Sequence, residues 1–351
     1  MTASKNERNN IEAHLPHDML KELYLNSRVS IKELERKFSI SHHTLSKCLG
    51  GCEEKYGLYY TLDIDATKLG FSEPRLITVK FEKVPDIALL KKVLGADPVV
   101  QDAYLSSGDF DLLLIVIGSD SINYENWEFI FRIGFSKYKP RVKTSTLNKF
   151  MEGFMPINSK LVKLSKEIDD GEKAILERLI KNSRIRIKDL SKETNMSESQ
   201  VIHIINNLKR KGIVRKFTTC IQNPDHRILL FYSVVLFIGG DHHPELLLKF
   251  IDKIINGEQI NHVTTNYSVV CDTSGAFDCI YFCNFNDGTA LNDRGPMFLK
   301  KAWHAEEPVT EQCILTELIA GKWPFNTNSY VHWGTTLDEG NNKPKKFKVY
   351  D

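Results

Sequence analysis

The sequence predicts an α+β protein in which two winged helix-turn-helix modules alternate with two ferredoxin-like (βαββαβ) domains. The first observation behind this prediction is that Asn26-Ser-Arg-Val-Ser-Ile-Lys-Glu-Leu34 recurs as Asn182-Ser-Arg-Ile-Arg-Ile-Lys-Asp-Leu190. The second is that Ser107-Gly-Asp-Phe-Asp111 recurs in the same order as Ser274-Gly-Ala-Phe-Asp278. The third is that each half begins with helical periodicity and continues with alternating strand and helix patterns. We therefore interpret the chain as a tandem duplication with four modules.

The helix-turn-helix modules are predicted from apolar residues at helical spacing. In the first module the predicted helices are 18–26, Ile31–Phe38 and His42–Cys52, and Gly50-Gly51 predicts an early end or a kink in the third helix. In the second module they are 170–182, Ile187–Thr194 and Glu198–Lys211. The last of these has a capping box formed by Ser197 and Gln200 and ends at Gly212. The alternating stretch Ile213–Ile221 then predicts a wing or a connecting strand.

The ferredoxin-like domains are predicted from the order strand, helix, strand, strand, helix, strand. In the first half these elements are Leu76–Phe81, Asp86–Leu94, Val99–Leu105, Phe110–Ile117, Tyr124–Ile133 and Val142–Phe150. In the second half they are Leu229–Phe237, Pro244–Ile255, Ile260–Val270, Phe277–Phe285, Leu291–Trp303 and Val309–Leu318. The predicted domains are a polar tail (1–17), a helix-turn-helix module (18–70), a ferredoxin-like domain (71–155), a linker (156–169), a second helix-turn-helix module (170–222), a second ferredoxin-like domain (223–322) and a C-terminal tail (323–351).

Composition excludes several classes of protein. The chain has 351 residues, of which 42% are hydrophobic and 26% are charged, as is usual for globular proteins. No apolar run approaches the ~18–20 residues that span a bilayer, and the polar N-terminus lacks a signal core. We therefore expect a cytoplasmic protein with no membrane partner. The 7 cysteines form no CxxC pair, which favours reduced thiols over a disulfide framework.

Several motifs resemble those of the leucine-responsive regulatory protein/AsnC (Lrp/AsnC) family of transcription regulators. They are the two Asn-Ser-Arg motifs, the glycines that end the helical modules, the Gly-Asp-Phe-Asp turn and the Lys-Pro-Arg-Val segment (Asn26–Arg28, Asn182–Arg184, Gly57, Gly212, Gly108–Asp111, Lys139–Val142). The resemblance is to a tandem, archaeal form, whereas most members carry one unit. It implies a helix-turn-helix that binds double-stranded DNA and a ferredoxin-like domain that dimerises and binds small effectors, often amino acids. A homo-oligomer is therefore expected.

The residues themselves support DNA contact unequally in the two modules. Residues 170–217 contain twelve basic and six acidic residues, about +6, whereas residues 18–57 contain seven basic and six acidic residues, about +1. Basic side chains bind phosphates by releasing condensed counterions, and polar side chains on the outer face of a recognition helix read base edges. The predicted DNA-binding residues are Ser199, Gln200, His203, Asn206, Asn207, Lys209, Arg210, Lys211, Arg215 and Lys216, together with His43, Thr44 and Lys47. A solvated helix end with no ligand is the alternative.

The glycine turns are the predicted effector sites, as the resemblance implies. The residues concerned are Gly108, Asp109 and Asp111 in the first copy and Gly275 and Asp278 in the second. A glycine allows the backbone to approach a ligand, but Gly-Asp is also ordinary hairpin chemistry, and both interpretations stay open. Ala276 stands where the first copy has Asp109, so the two copies need not bind the same ligand.

No catalytic, metal or cofactor site is predicted. His42, His43, Cys48 and Cys52 lie close in sequence, but the helix points the two histidines in different directions, so packing is favoured over zinc binding. An enzymatic alternative is a siroheme-decarboxylase-like protein, because those enzymes share the two-module architecture and His262-Val-Thr-Thr-Asn-Tyr267 faintly resembles one of their motifs. However, no Arg or Lys occurs from Asn261 to Phe285 to bind tetrapyrrole carboxylates. A third alternative is an architectural DNA-binding assembly protein without an effector.

Overall fold

The fold is described from a computed structural model. The structure describes residues 19–20, 22–56, 58–118, 124–152, 157–221, 232–239, 266–277, 279–285 and 309–321. In the first half the elements are α1 (residues 19–20 and 22–25), α2 (Ile31–Phe38), α3 (His42–Tyr56), β1 (Leu58–Ile64), β2 (Arg75–Lys80), α4 (Ile87–Ala96), β3 (Val100–Gly108), β4 (Leu112–Val116), α5 (Tyr124–Gly134) and β5 (Arg141–Glu152).

The second half repeats the order of the three helices and five strands in the residues that the structure describes, and it has one additional short helix before them. Its elements are α6 (Ser159–Val162), α7 (Asp170–Lys181), α8 (Ile187–Thr194), α9 (Glu198–Arg210), β6 (Val214–Ile221), β7 (Tyr232–Gly239), β8 (Asn266–Gly275), β9 (Cys279–Phe285) and β10 (Val309–Ala320). The predicted helices Pro244–Ile255 and Leu291–Trp303 lie outside the described residues, as do Asp278 and most of the His262–Tyr267 motif.

Caps define the helices of both helix-turn-helix modules. Capping boxes begin α2 at Ser30, α7 at Asp169 and α9 at Ser197, of which the sequence predicted the last. The α9 chain turns out of the helix at Gly212, whose φ of 72° suits a residue without a side chain. Of the two expectations at Gly50-Gly51, an early end or a kink, the early end is wrong, because α3 continues to Tyr56. Leu45, Leu49 and Cys52 are buried along α3, and this packing compensates for the weak helix propensity of two glycines.

The two helix-turn-helix modules are joined by a two-stranded antiparallel ribbon of β1 and β6. Thr61 lies opposite Thr218 in this ribbon, and Leu62 lies opposite Phe217. Of the two alternatives for Ile213–Ile221, the connecting strand is therefore the observed one. The hydroxyl of Thr61 donates to the carbonyl of Ile180 (2.9 Å) and that of Thr218 to the carbonyl of Tyr24 (2.7 Å), so the ribbon has an approximate two-fold relation.

The first ferredoxin-like unit has strand order β5-β2-β4-β3, and α4 and α5 cover one face of it. The strands β7–β10 have the equivalent order, β10-β7-β9-β8. The two sheets close into one eight-stranded barrel, because β5 pairs with β8 and β10 pairs with β3. The two halves of the chain therefore pair with each other within one molecule.

The barrel interior is a shared hydrophobic core. Phe110 and Phe277, from the two copies of the glycine turn, pack edge to face there with ring centroids 6.1 Å apart. The other buried members come from both sheets and are Leu76, Tyr104, Leu113, Ile115, Leu147, Ile280, Cys313 and Leu315. Their burial makes the sheet pairing a continuous core and not a surface contact between two separate domains.

The segment predicted as a linker contributes to the core as well as connecting the halves. Ile157, Leu161, Val162 and Ile168 are buried against α7 and α9. The hydroxyl of Ser165, also buried, donates to the carbonyl of Leu69 (2.8 Å). This packing fixes the position of the second helix-turn-helix module relative to the residues that follow β1.

Candidate nucleic-acid interface

The outer face of α9 carries most of the predicted base-reading residues. Val201, Ile205 and Leu208 are buried, and this leaves Ser199, His203 and Asn206 exposed. Ile202 is also exposed (47%) on this face, although the sequence analysis did not select it. The sequence pattern does not identify Ile202 as exposed, because periodicity alone does not separate adjacent positions at the edge of an apolar stripe.

Two of the predicted residues already have partners on α9. The side-chain oxygen of Gln200 accepts from the backbone N–H of Ser197 (2.8 Å) and closes the capping box. Asn207 is half-buried, lies 3.0 Å from Nε2 of His203, and accepts from the guanidinium of Arg210 (2.8 Å). Gln200 therefore organises the start of the helix, and Asn207 links His203 to Arg210 in one polar row.

The basic residues at the end of α9 differ in their availability. Lys209 and Arg210 are exposed, and the ammonium of Lys209 lies 4.6 Å from the ring centre of Phe217. Lys211 forms an ion pair with Glu172 (2.6 Å), whose side chain is nearly buried. Lys209 and Arg210 are thus both exposed, and neither forms an ion pair with a carboxylate among the described residues.

Arg215 and Lys216 lie on the ribbon strand β6 and not on a wing. Arg215 pairs with Asp65 (3.1 Å) and more distantly with Asp63 (3.6 Å). The ammonium of Lys216 lies 3.6 Å from the ring centre of Tyr24, and burial lowers the pKa of Lys216, although Asp63 opposes this. The sequence charge count includes both cations, but in the structure Arg215 is ion-paired with residues in and just after β1, and Lys216 packs on Tyr24 of α1.

The first module presents a different surface at the equivalent place. His43 and Lys47 are exposed on α3 and Thr44 is half-buried. Glu53 lies twelve residues after Ser41, as Lys209 lies twelve residues after Ser197, so Glu53 and Glu54 occupy the positions of Lys209 and Arg210. Glu53 accepts a hydrogen bond from the hydroxyl of Tyr60 (2.6 Å). The end of α3 is therefore acidic where the end of α9 is basic.

The glycine turns lie where the two halves join. Gly108 (φ 127°) is opposite Cys313 and Gly275 (φ 126°) is opposite Ser145 in the seams of the barrel. Asp111 accepts from the ammonium of Lys80 (2.7 Å) and from the backbone N–H of Phe81 (2.8 Å). Asp109 is exposed beside it. Gly108, Gly275 and Asp111 thus have structural roles at the seams of the barrel.

The Asn-Ser-Arg repeats, which indicate the duplication and the family resemblance, meet at the approximate two-fold axis. The hydroxyls of Ser27 and Ser183 are buried and hydrogen-bonded to each other (2.6 Å). Arg28 donates to the carbonyls of Ser183 (2.7 Å) and Ile185 (3.1 Å). Burial lowers the pKa of Arg28. The repetition itself was the available signal, because a motif copied in both halves can lie at their interface.

Two searches of the described residues bear on other classes of site. No three His, Cys, Asp or Glu side chains in the described ranges are grouped closely enough to hold a metal ion. Likewise, none of the helices in the part of the chain that the structure describes has the length and apolar character of a membrane span.

Comparison with known proteins gives matches to DNA-binding regulators. The family described as winged helix-turn-helix DNA-binding matches residues 168–215. The HTH-type transcriptional regulator FL11 of Pyrococcus furiosus is 34% identical over 126 residues, which cover 36% of this chain and 76% of that protein. The HTH-type transcriptional regulator LrpA of Pyrococcus horikoshii is 36% identical over 87 residues, 25% of this chain. The chain spans 59% of the length of that LrpA.

A solved structure matches the whole architecture. The siroheme decarboxylase NirDL aligns with a TM-score of 0.57 and 13% identity, covering 93% of this chain and 100% of that chain. At this identity the likeness shows a common fold, in which helix-turn-helix and ferredoxin-like parts are combined. The fold and the family match together define a helix-turn-helix protein of the regulator class. The chain belongs to the Lrp/AsnC family of HTH-type transcriptional regulators.

Proposed function

We propose that this protein is a sequence-specific DNA-binding transcription regulator whose second helix-turn-helix module makes most of the DNA contact. The observation that carries this proposal is the opposite charge at the two equivalent helix ends, Lys209 and Arg210 on α9 against Glu53 and Glu54 on α3. DNA carries one negative charge per ~1.7 Å of helix axis, so an acidic end at the same place in the module opposes binding.

Phosphate contact and base reading divide between two groups on α9. Lys209 and Arg210 neutralise phosphates, and the hydrogen bond from Arg210 to Asn207 orients the guanidinium along the helix. Ser199, His203 and Asn206 face outwards earlier on the helix and bind base edges in the major groove. Asn206 can bond adenine through two hydrogen bonds, which makes it the residue with the most specific geometry of the three.

For the effector, the family resemblance supports an amino-acid-like molecule bound near the first glycine turn. Asp111 accepts hydrogen bonds from the ammonium of Lys80 and from the backbone N–H of Phe81, and Asp109 is exposed in the same turn. The second copy has Ala276 instead and lacks this carboxylate. Calorimetric titration with free amino acids is the corresponding measurement. Assembly of several chains is proposed from the same resemblance, and light scattering on the intact chain measures it.

A regulator without enzymatic activity is favoured over a siroheme-decarboxylase-like enzyme. The relatives at 34% and 36% identity are named as transcriptional regulators, whereas the decarboxylase shares 13% identity and thus the fold alone. A tetrapyrrole added to the protein distinguishes the two functions, since a bound tetrapyrrole changes its absorption spectrum and a regulator leaves the spectrum unchanged.

Binding to duplex DNA is expected to weaken steeply as salt rises, because counterion release supplies much of the free energy. With three to five phosphates contacted by one module, the slope of log K against log[salt] should be about −3 to −5. Fluorescence anisotropy with a labelled duplex from a random pool, at 50 to 300 mM KCl, measures this slope. A binding constant that is independent of salt, or no binding at the lowest salt, contradicts the proposed function.

A further inference from the structure

The two seams of the barrel are equivalent in register. Ser145 of β5 lies opposite Gly275 of β8, and Cys313 of β10 lies opposite Gly108 of β3. Gly108 and Gly275 are the same position of the repeated turn, so Ser145 and Cys313 are equivalent. Both seams also have a register shift immediately after the next inward residue, which is Leu147 or Leu315. The correspondence therefore holds along the strands and not at one point only.

Lys143 and Glu311, two residues before Ser145 and Cys313, are also equivalent positions, and they form an ion pair with each other. The ammonium of Lys143 lies 5.6 Å from the ring centre of Phe110 and 5.7 Å from that of Phe277. Since the two rings are themselves equivalent, the pair lies next to the approximate two-fold axis of the barrel. The exposed fractions of the side chains are 48% and 28%, so water screens the pair only in part.

A residue next to a two-fold axis meets its own copy when the two subunits are identical. If two first halves paired, Lys143 would then meet a second Lys143, and if two second halves paired, Glu311 would meet a second Glu311. Joining unlike halves in one chain permits a lysine to meet a glutamate instead. A second ion pair joins the two halves, because Glu317 of β10 pairs with Lys91 of α4 in the first half.

We propose that these charges make the barrel seam select unlike halves: the sheet of residues 75–152 accepts the sheet of residues 232–320 and opposes a second copy of itself. The partner that this surface fits is thus the second half of this chain. Opposite charges a few ångströms apart attract, and like charges at the same distance repel. The free-energy difference between pairing unlike halves and pairing like halves therefore includes both the attraction and the repulsion. The inference is independent of DNA binding and concerns how the regulator assembles.

Charge reversal in the intact chain tests this proposal. The variants Lys143→Glu and Glu311→Lys each reproduce, within one molecule, the charges of a pairing between like halves. Each should lower the midpoint of thermal unfolding by about 2–4 °C, and the double variant Lys143→Glu/Glu311→Lys should return it to within ~1 °C of the starting protein. Lys92→Glu, an exposed lysine on α4, makes the same charge change as Lys143→Glu and should shift the midpoint by less than ~1 °C.

Restoration by the double variant is the deciding result, because loss of side-chain packing alone cannot be repaired by a second reversal. If a single variant fails to fold and the double variant folds, the proposal is supported. A double variant whose midpoint falls by the sum of the two single shifts, or that fails to fold, overturns it. Single variants that behave like Lys92→Glu overturn it as well.

Discussion

Reversing the charges of Lys209 and Arg210 together should reduce the affinity for duplex DNA about 100-fold at 0.1 M salt. Both side chains are exposed at the end of α9, and the nearby Glu172 and Glu193 pair with Lys211 and Arg178. Each phosphate contact contributes a slope of about −0.9, which at 0.1 M salt corresponds to roughly a factor of eight, and reversal adds repulsion. The double variant Lys209→Glu/Arg210→Glu, compared by anisotropy over a salt series, should also have a slope smaller by about 2.

A matched control makes the same change in net charge elsewhere. Lys92 and Lys137 are exposed lysines of the first ferredoxin-like unit, and Lys92→Glu/Lys137→Glu should change affinity by less than about threefold. The reciprocal variant Glu53→Lys/Glu54→Lys should strengthen binding, since it removes repulsion at α3. Equal losses for the α9 variant and the control would show that overall charge, and not the surface of α9, determines binding.

Gly275→Ala should lower the free energy of unfolding by about 2–4 kcal/mol, the largest stability effect among these predictions. Its φ of 126° is a conformation that side chains with a Cβ disfavour. An added Cβ would also lie 2.7 Å from the carbonyl oxygen of Thr144 and 3.1 Å from Cα of Ser145, both backbone atoms. Relieving this contact displaces the turn from β5 and breaks the hydrogen bond from Phe277 N–H to the hydroxyl of Ser145 (3.0 Å).

Gly95→Ala is the control for this substitution. Gly95 lies in α4, its φ is negative and no atom lies within 4 Å of the position of an added Cβ. Alanine should therefore stabilise the protein by roughly 0.5–1 kcal/mol through its higher helix propensity. Denaturant unfolding followed by circular dichroism measures both variants. A Gly275→Ala protein as stable as the parent would show that the turn does not pack against β5 as described.

Local periodicity predicted the elements well, and it could not predict their pairing. The helix predicted at Glu198–Lys211 is observed at Glu198–Arg210, since caps are encoded within a few residues. Alternation along β5 indicates which residues face a core, but not that β8 is its neighbour. Which strand pairs with β5 depends on the shapes and charges of residues that are far apart in the sequence, and a local pattern does not contain this information.

A count of charged residues in the sequence likewise does not show which of them are paired with each other in the fold. The count for residues 170–217 treats Lys209 and Arg215 alike, although Arg215 is paired with Asp63 and Asp65 and Lys209 is in no ion pair of the described residues. The cap that the side-chain oxygen of Gln200 completes was predicted from the sequence, and base reading by Gln200 stays a prediction. The outward face of α9 was predictable because the buried apolar residues have helical spacing. The exposure of Ile202 was not predicted, because Ile202 borders that apolar stripe.

The central claim is that α9, and not α3, reads the DNA sequence, and paired triple alanine variants test it most directly. Ser199→Ala/His203→Ala/Asn206→Ala removes the outward polar groups of α9 and spares the cap at Gln200 and the hydrogen bond between Asn207 and Arg210. His43→Ala/Thr44→Ala/Lys47→Ala is the equivalent change on α3. The measured quantity is the ratio of affinities for a duplex selected from a random pool by the parent protein and for its scrambled counterpart.

The α9 variant should lose roughly 2–4 kcal/mol of this discrimination, a ratio smaller by about 30-fold to 1,000-fold, while non-specific affinity changes little. The α3 variant should keep the ratio within about twofold. Loss of discrimination in the α3 variant, with discrimination retained in the α9 variant, would contradict the assignment of sequence reading to the second module.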